Sequence, residues 1–363
     1  MNSGSKPDPA GENSRRGFLQ RIAAAAAASS VAANASAQQP AEPAAAARAA
    51  ERNALPEPGP LSKQPMPTIR LGKHNVSRLV IGTNGIGTHY STVLSRTFRE
   101  WNTPEQQMRV FKHCEELGIN MRIQTRDQIN QYNKEFGGHM LFSSNSEAFP
   151  PKGDPREALK RLAANGPIAI HSSASGSDEF WRSRQMPKLR EWCKMVRDTG
   201  VLVCINGHIP EMFMEMDSQG WDVDYYMTAL YVFGRTHEEW EKVFKGDLDL
   251  APLQVGELQT EYNSPYYGGE IAWVHGDPPK MLKVIKQAKK PCLAFKILAS
   301  GNLMATAQPK VQQQIVEARF KYVFENIKST DGVVCAMWNK YEDQYALNKE
   351  YVVKYGGSSI RAS

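Results

Sequence analysis

The chain has 363 residues, 41% of them hydrophobic and 23% charged, with a formal net charge of +6. That length supports one large domain or two small ones. A mild basic surplus with no basic block excludes a charge-driven nucleic-acid surface, so no nucleic-acid partner is expected.

In chain order, residues 14–19 read Ser-Arg-Arg-Gly-Phe-Leu, the twin-arginine export pattern S-R-R-x-F-L. A weakly apolar run, mostly alanine, follows, and Ala35-Ser36-Ala37 offers an A-x-A cleavage site. Residues 1–37 are therefore read as a twin-arginine signal peptide. The translocase becomes a partner during export, and the expected location is periplasmic or extracellular. The alanine run is too short and too weakly apolar for a stable membrane span. A chance arginine pair in an Ala-rich tail, or an uncleaved tether, are the alternatives. Residues 38–66 are rich in Ala, Pro, Glu and Gln, too poor in apolar surface to order themselves, and read as a disordered linker. The folded domain is expected over 67–363. The signal accounts for +2 of the charge and the remainder carries +4. Five widely spaced cysteines, with no C-x-x-C, predict no disulfide framework. Such a chain suits export of a protein folded in the reducing cytoplasm.

From Pro67 onward, short apolar β-branched runs alternate with amphipathic stretches. The pattern predicts eight strands, near 79–83, 119–124, 140–144, 168–171, 201–205, 223–230, 292–297 and 333–337. Their near-continuous apolar character fits parallel strands buried on both faces. Thr103-Pro104-Glu105-Gln106 has the order of a capping box, with Pro at the first helical position and Gly118 to end the helix. Asp154-Pro155 opens a helix with Ala158, Leu159 and Leu162 inward. Asp277-Pro278 opens another with Met281, Leu282 and Ile285, and a longer one covers 311–327. Eight strands alternating with helices give an α/β class and a (β/α)8 TIM barrel, whose typical size is about 250 residues. A doubly wound sheet is the rival, weakened by the lack of a G-x-G-x-x-G after the first strand.

In a barrel, chemistry gathers where strands end and βα loops begin. That rule selects Asn84 and Gly85, Gln124, Asn145, His171, His208, Thr228 and Tyr231, Lys296, and the Trp338-Asn339-Lys340 segment. His171 ends an apolar strand before a small-residue loop, which favours a site role over a core role. His208 reads equally as a helix cap or a second site histidine. A metal centre joining both to Asp178, Glu257 or Glu261 has no H-x-H or H-E-x-x-H pattern behind it, so no metal is expected. Lys296 sits in an apolar run, where an ammonium must be paired or functional. A Schiff-base amine, a phosphate contact and a structural ion pair are the three readings. The long loop from Gly246 to Gly276, with Tyr262, Tyr266, Tyr267 and Trp273, reads as a lid whose aromatics suit sugar rings, or as a packed excursion.

Several segments, in order, resemble the aldo/keto reductases. TIRLGKHNVSRLVIGT resembles their N-terminal hairpin and first strand. GINMRIQTRDQ resembles the second strand, GPIAIH the fourth, INGHIPEMF the fifth and VDYYMTALY the sixth. KKPCLAFKILASGNL resembles the seventh with the cofactor loop, and WNKYEDQYALN the adenine-binding segment. The resemblance implies an NADP(H)-dependent oxidoreductase acting on a carbonyl or sugar-derived small molecule, with nucleotide bound before export. It carries the catalytic His to His171. The Asp position holds Gln124, or Ile123 in a register shifted by one, the Lys position holds Asn145, and Tyr132 lies a few residues late for the Tyr. Without the Asp–Lys pair a tyrosine titrates near pH ~10 and donates poorly, so a reductase here would be slow or would use another acid, with His171 and Lys296 as candidates. On the cofactor side the resemblance points to Asn206, Thr228, Phe295 (against nicotinamide) and Leu298. It adds Asn339 and Lys340 near a 2′-phosphate, and Gln344 and Asn348 at the adenine. A non-redox lyase, isomerase or hydrolase of modified sugars on the same barrel, or a barrel that binds without turnover, are the alternatives.

Overall fold

The computed structural model describes residues 57–83, 92–124, 127–146, 153–230, 234–235, 262–264, 269–273, 277–298 and 309–357. The signal, most of the linker, Asn84, Gly85, Tyr231, Glu257, Glu261 and the tyrosines Tyr266 and Tyr267 lie outside them.

The fold opens with a hairpin, β1 (Thr68–Leu71) and β2 (His74–Ser77), paired antiparallel around Gly72. Gly72 has φ +55°, a left-handed turn that favours glycine, and any Cβ there would strike Leu202. There follow β3 (Leu79–Ile81), α1 (Thr92–Trp101), α2 (Pro104–Glu116), β4 (Met121–Ile123), α3 (Asp127–Phe136), β5 (Leu141–Asn145) and α4 (Arg156–Ala164). Next come β6 (Ala169–His171), α5 (Ala174–Arg182), α6 (Met186–Arg197), β7 (Leu202–Gly207), α7 (Pro210–Ser218) and β8 (Tyr225–Ala229). The chain continues through β9 (Gly234–Arg235), β10 (Tyr262–Ser264), β11 (Gly269–Trp273), α8 (Asp277–Gln287), β12 (Cys292–Phe295), α9 (Pro309–Asn326), β13 (Gly332–Cys335) and α10 (Gln344–Gly356).

Strands β3, β4, β5, β6, β7, β8, β12 and β13 pair in parallel in that order, and β13 returns to β3 to close a barrel. This is the (β/α)8 barrel, with all eight expected strands in place. The excursion between β8 and α8 adds a three-stranded antiparallel sheet, in the order β10-β11-β9.

Two apolar layers follow from the period-two alternation of buried strands. Leu79, Ile81, Phe142, Ile170, Val203, Ile205 and Tyr226 face the helices. Val80, Met121, Ile123, Cys204, Met227, Leu293 and Val334 fill the interior, joined from the hairpin by Ile69, Leu71 and Val76. The hairpin therefore plugs the N-terminal end: Ile69 reaches toward Gly332, the first residue of β13, and Gly72 lies against Leu202, the first of β7. The other end is left for chemistry.

Three sequence expectations are corrected. The folded part begins before residue 67: Pro60–Lys63 forms a 3₁₀ turn, and the Ser62 amide donates to Glu350 of α10 at 3.2 Å. The capping box of α2 is half a box. Thr103 accepts from the Gln106 amide at 3.2 Å, while the Thr103 amide donates to the Trp101 carbonyl instead. In α4, Leu159 and Leu162 are buried but Ala158 is exposed, one position off the inward stripe. All five cysteines are buried free thiols. Among the described residues no helix is long and apolar enough to cross a membrane.

Candidate active site

Alternation decides which side chains enter the upper barrel. On β5, Leu141 packs with the interior and Phe142 with the outer layer, so Asn145 points inward. By the same count His171 on β6, Asn206 on β7 and Phe295 on β12 are interior. Asn145 lies beside His171 in register, and His171 beside Cys204. Among the described residues no group hydrogen-bonds either ring nitrogen of His171, Asn145 Oδ1 or Asn206 Oδ1, although all these atoms are buried. Burial alone pushes the His171 imidazole down to about 4, so it is neutral at pH 7. Buried polar atoms are ordinarily paired. Three such residues toward the C-terminal ends of the strands, in one lumen, form a neutral set of donors and acceptors.

Above them runs a chain of charge. Asp178, fully buried on α5, accepts from the His208 amide at 3.0 Å and meets His208 Nδ1 at 2.7 Å. A carboxylate only accepts, so Nδ1 carries the proton and Nε2 is left as an acceptor. Lys296 Nζ stands 3.1 Å from that Nε2. Burial, with the Lys296 charge second, lowers the His208 pKa, while Asp178 opposes the shift. Burial lowers the Lys296 ammonium to about 8, again with Asp178 opposing. Local sequence permits the approach. Gly207 leaves room where a Cβ would crowd the Asp178 carboxylate and Met212. Ser177 donates to Ser172 Oγ at 2.7 Å, and Ser172 Oγ accepts from the Asn206 amide at 3.0 Å, fixing α5 against β7. The Phe295 ring lies 5.6 Å from the His208 ring and 5.8 Å from Lys296 Nζ.

Lys296 (φ +57°) and Gln124 (φ +63°) both hold left-handed backbone immediately after a barrel strand. Non-glycine residues there carry strain of order 1–3 kcal/mol, which clusters at functional sites. Gln124 Oε1 accepts from Thr83 Oγ1 at 2.8 Å, bridging the rims of β4 and β3.

Other expected site residues lie elsewhere. Tyr132 is on α3, packed between Phe111 and Phe136, and donates to Glu115 at 2.6 Å. It belongs to the helical layer because α3 starts three residues past Gln124 and turns the side chain away from the lumen. Thr228 alternates with interior Met227 and faces outward. Leu298 packs on the outer core. Gln344 accepts from the Trp338 amide at 3.2 Å and donates to Glu342 at 2.9 Å, bracing its own loop. Asn348 is buried, with its amide 3.7 Å from Cys335 Sγ. Among the described residues Thr228 Oγ1 is buried without a hydrogen-bond partner, while Leu298, Gln344 and Asn348 are packed or bonded within the protein. Asn206 and Phe295 line the lumen. Asn339 keeps a buried Oδ1 with no partner among the described residues, and Lys340 is exposed over the Tyr341 ring. Trp338 sits among Phe98, Trp101 and the exposed Tyr341, at centroid distances of 5.7, 5.9 and 5.5 Å.

The role of Asp178 escaped the sequence reading, which offered it only as a metal ligand. No group of three His, Cys, Asp or Glu among the described residues could hold a metal. The available signal was topological: in a barrel, the helix after one strand borders the rim of the next.

No protein-family model matches the chain, and no curated protein matches it. Among solved structures it is similar to a truncated 3-deoxy-D-arabino-heptulosonate 7-phosphate synthase from Thermotoga maritima. That pair is 10% identical with TM-score 0.42, covering 82% of this chain and 96% of the other. A GH113 β-1,4-mannanase is 12% identical with TM-score 0.40, over 80% and 99%. A dihydropteroate synthase from Xanthomonas albilineans is 10% identical with TM-score 0.38, over 80% and 97%. Likeness at this level carries no argument about activity, and none of the three is an aldo/keto reductase.

Proposed function

We propose that the barrel is a general acid–base enzyme acting on an uncharged, carbonyl-bearing, polyhydroxylated small molecule of the modified-sugar type. The Asp178–His208–Lys296 chain carries this reading. A buried lysine near pH 8 exchanges protons at working pH far more readily than an ordinary lysine. Asp178 holds the His208 tautomer, and His208 offers Nε2 to the amine. Asn145, His171 and Asn206 supply neutral hydrogen bonds to hydroxyl or carbonyl oxygens, while Phe295 and the Trp338–Tyr341 edge offer apolar faces for a sugar ring.

The test is solvent exchange. The purified chain is incubated in D2O with a panel of three- to six-carbon hydroxy-aldehydes and hydroxy-ketones, and deuterium at the carbon beside the carbonyl is followed by NMR. Exchange that disappears in Lys296→Ala and His208→Ala is the expected result. Exchange unchanged in both variants would refute the assignment.

Membership of the aldo/keto reductases, with NADP(H) as hydride carrier, is the second reading. Phe295 on the lumen wall and neutral His171 favour it, while the packing of Leu298 and the bonds of Gln344 and Asn348 weigh against it. Denaturing the protein and assaying the supernatant for nicotinamide nucleotide separates the two readings. Export by the twin-arginine route remains part of the proposal, resting on the S-R-R-x-F-L pattern.

A further inference from the structure

We infer that Lys296 is a covalent nucleophile, forming an imine with the carbonyl carbon of the substrate, with His208 as the proton shuttle. This deepens the acid–base reading of the same site and rests on it.

The geometry also meets the need of a nucleophile, since an amine must lose its proton before it attacks carbon. His208 Nε2 lies 3.1 Å from Nζ, placed to take that proton, and His208 is backed through Nδ1 by the buried carboxylate of Asp178. An acceptor so placed can strip the ammonium, and the resulting imidazolium is stabilised by Asp178 as it forms. The amine is anchored beside the Phe295 ring, at a strand end whose left-handed backbone sets the direction of the side chain. Below lie the buried Asn145, His171 and Asn206 atoms that no group among the described residues satisfies, positions for the hydroxyls of a hydroxy-carbonyl compound.

The step balances. Lys296 ammonium gives one proton to His208 Nε2. The free amine forms a bond to the carbonyl carbon as the C=O π bond breaks toward oxygen. That oxygen takes the second proton from the nitrogen, giving a carbinolamine. Protonated His208 then donates its proton to the hydroxyl, which leaves as water, and the nitrogen lone pair closes the iminium. One ammonium and one carbonyl become one iminium and one water, with no oxidant or reductant.

The test uses the full chain with glycolaldehyde, the smallest hydroxy-carbonyl, and cyanoborohydride to trap imines. Modification is mapped by peptide mass spectrometry against the exposed lysines Lys112 and Lys160. At near-neutral pH an amine titrating near 8 is expected to label on the order of tenfold or more faster than these references. His208→Gln should bring Lys296 back toward them. Lys296 labelling at or below Lys112 and Lys160 in the wild-type protein overturns the inference whether or not the variant folds. Lys296-dependent deuterium exchange without preferential trapping would leave the acid–base reading standing and remove the covalent step. Loss of both would remove both.

Discussion

The neutral imidazole of His171 makes a prediction that can be worked from the structure. It is fully buried, and among the described residues no group meets either nitrogen. Its folded pKa is about 4, against 6.5 for the free side chain. As pH falls below 6.5, the unfolded chain takes up a proton that the folded chain refuses until about 4, so protonation favours unfolding throughout that window. Linkage puts the loss from this group at roughly 2 kcal/mol between pH 7 and 5, rising to about 3 kcal/mol by pH 4. His171→Leu removes the titration while keeping the volume. At pH 7 its stability should lie within about 1 kcal/mol of wild type, or above it, because two unsatisfied polar atoms leave an apolar-floored lumen. Urea unfolding followed by tryptophan fluorescence from pH 7 to 5 gives both curves. Other titrating groups act equally on the two proteins, including His113, whose pKa its bond to Asp343 raises. The expected result is a wild-type curve that falls about 2 kcal/mol further than the variant's. Parallel curves would refute the argument that His171 is buried and uncharged.

Asp178→Asn removes the charge that holds the Lys296 pKa up against burial, so the pH midpoint of Lys296 labelling should move below about 8. An upward move would contradict the relay. Tyr132→Phe deletes the hydrogen bond to Glu115 and should cost about 1.5–3 kcal/mol in chemical denaturation while leaving the D2O exchange rate unchanged. A fall in exchange with stability retained would return Tyr132 to the chemistry. Gln344→Ala should cost about 1 kcal/mol through the lost bond to the Trp338 amide and leave nucleotide affinity untouched, measured by NADPH fluorescence. Replacing Arg15 and Arg16 with lysines should retain the protein in the cytoplasm in a fractionation assay, and unchanged export would refute the signal reading.

The barrel was legible because strand burial on both faces leaves a pattern in one dimension. Runs such as Leu202-Val203-Cys204-Ile205 and Cys292-Leu293-Ala294-Phe295 carry it without reference to anything else, and Thr103-Pro104 marks a helix start by local chemistry alone. The strand-end rule likewise reached His171, Asn145 and Lys296, since position at a strand terminus is a property of the sequence pattern. What the sequence could not decide was direction and partnership. Thr228 and Met227 are adjacent and both apolar enough to face either way, and only barrel closure turns one in and the other out. Tyr132 lies a few residues from a reductase-like position, yet the start of α3 sends it to Glu115. Gln344 and Asn348 share a helix face as surface residues would, but the rim loop and Cys335 claim them. Asp178, His208 and Lys296 are separated by 30 and 88 residues, one on a helix and two just past the ends of different strands. Their meeting depends on the curvature of the closed sheet and on the missing side chain of Gly207, which pairwise spacing along a chain does not encode.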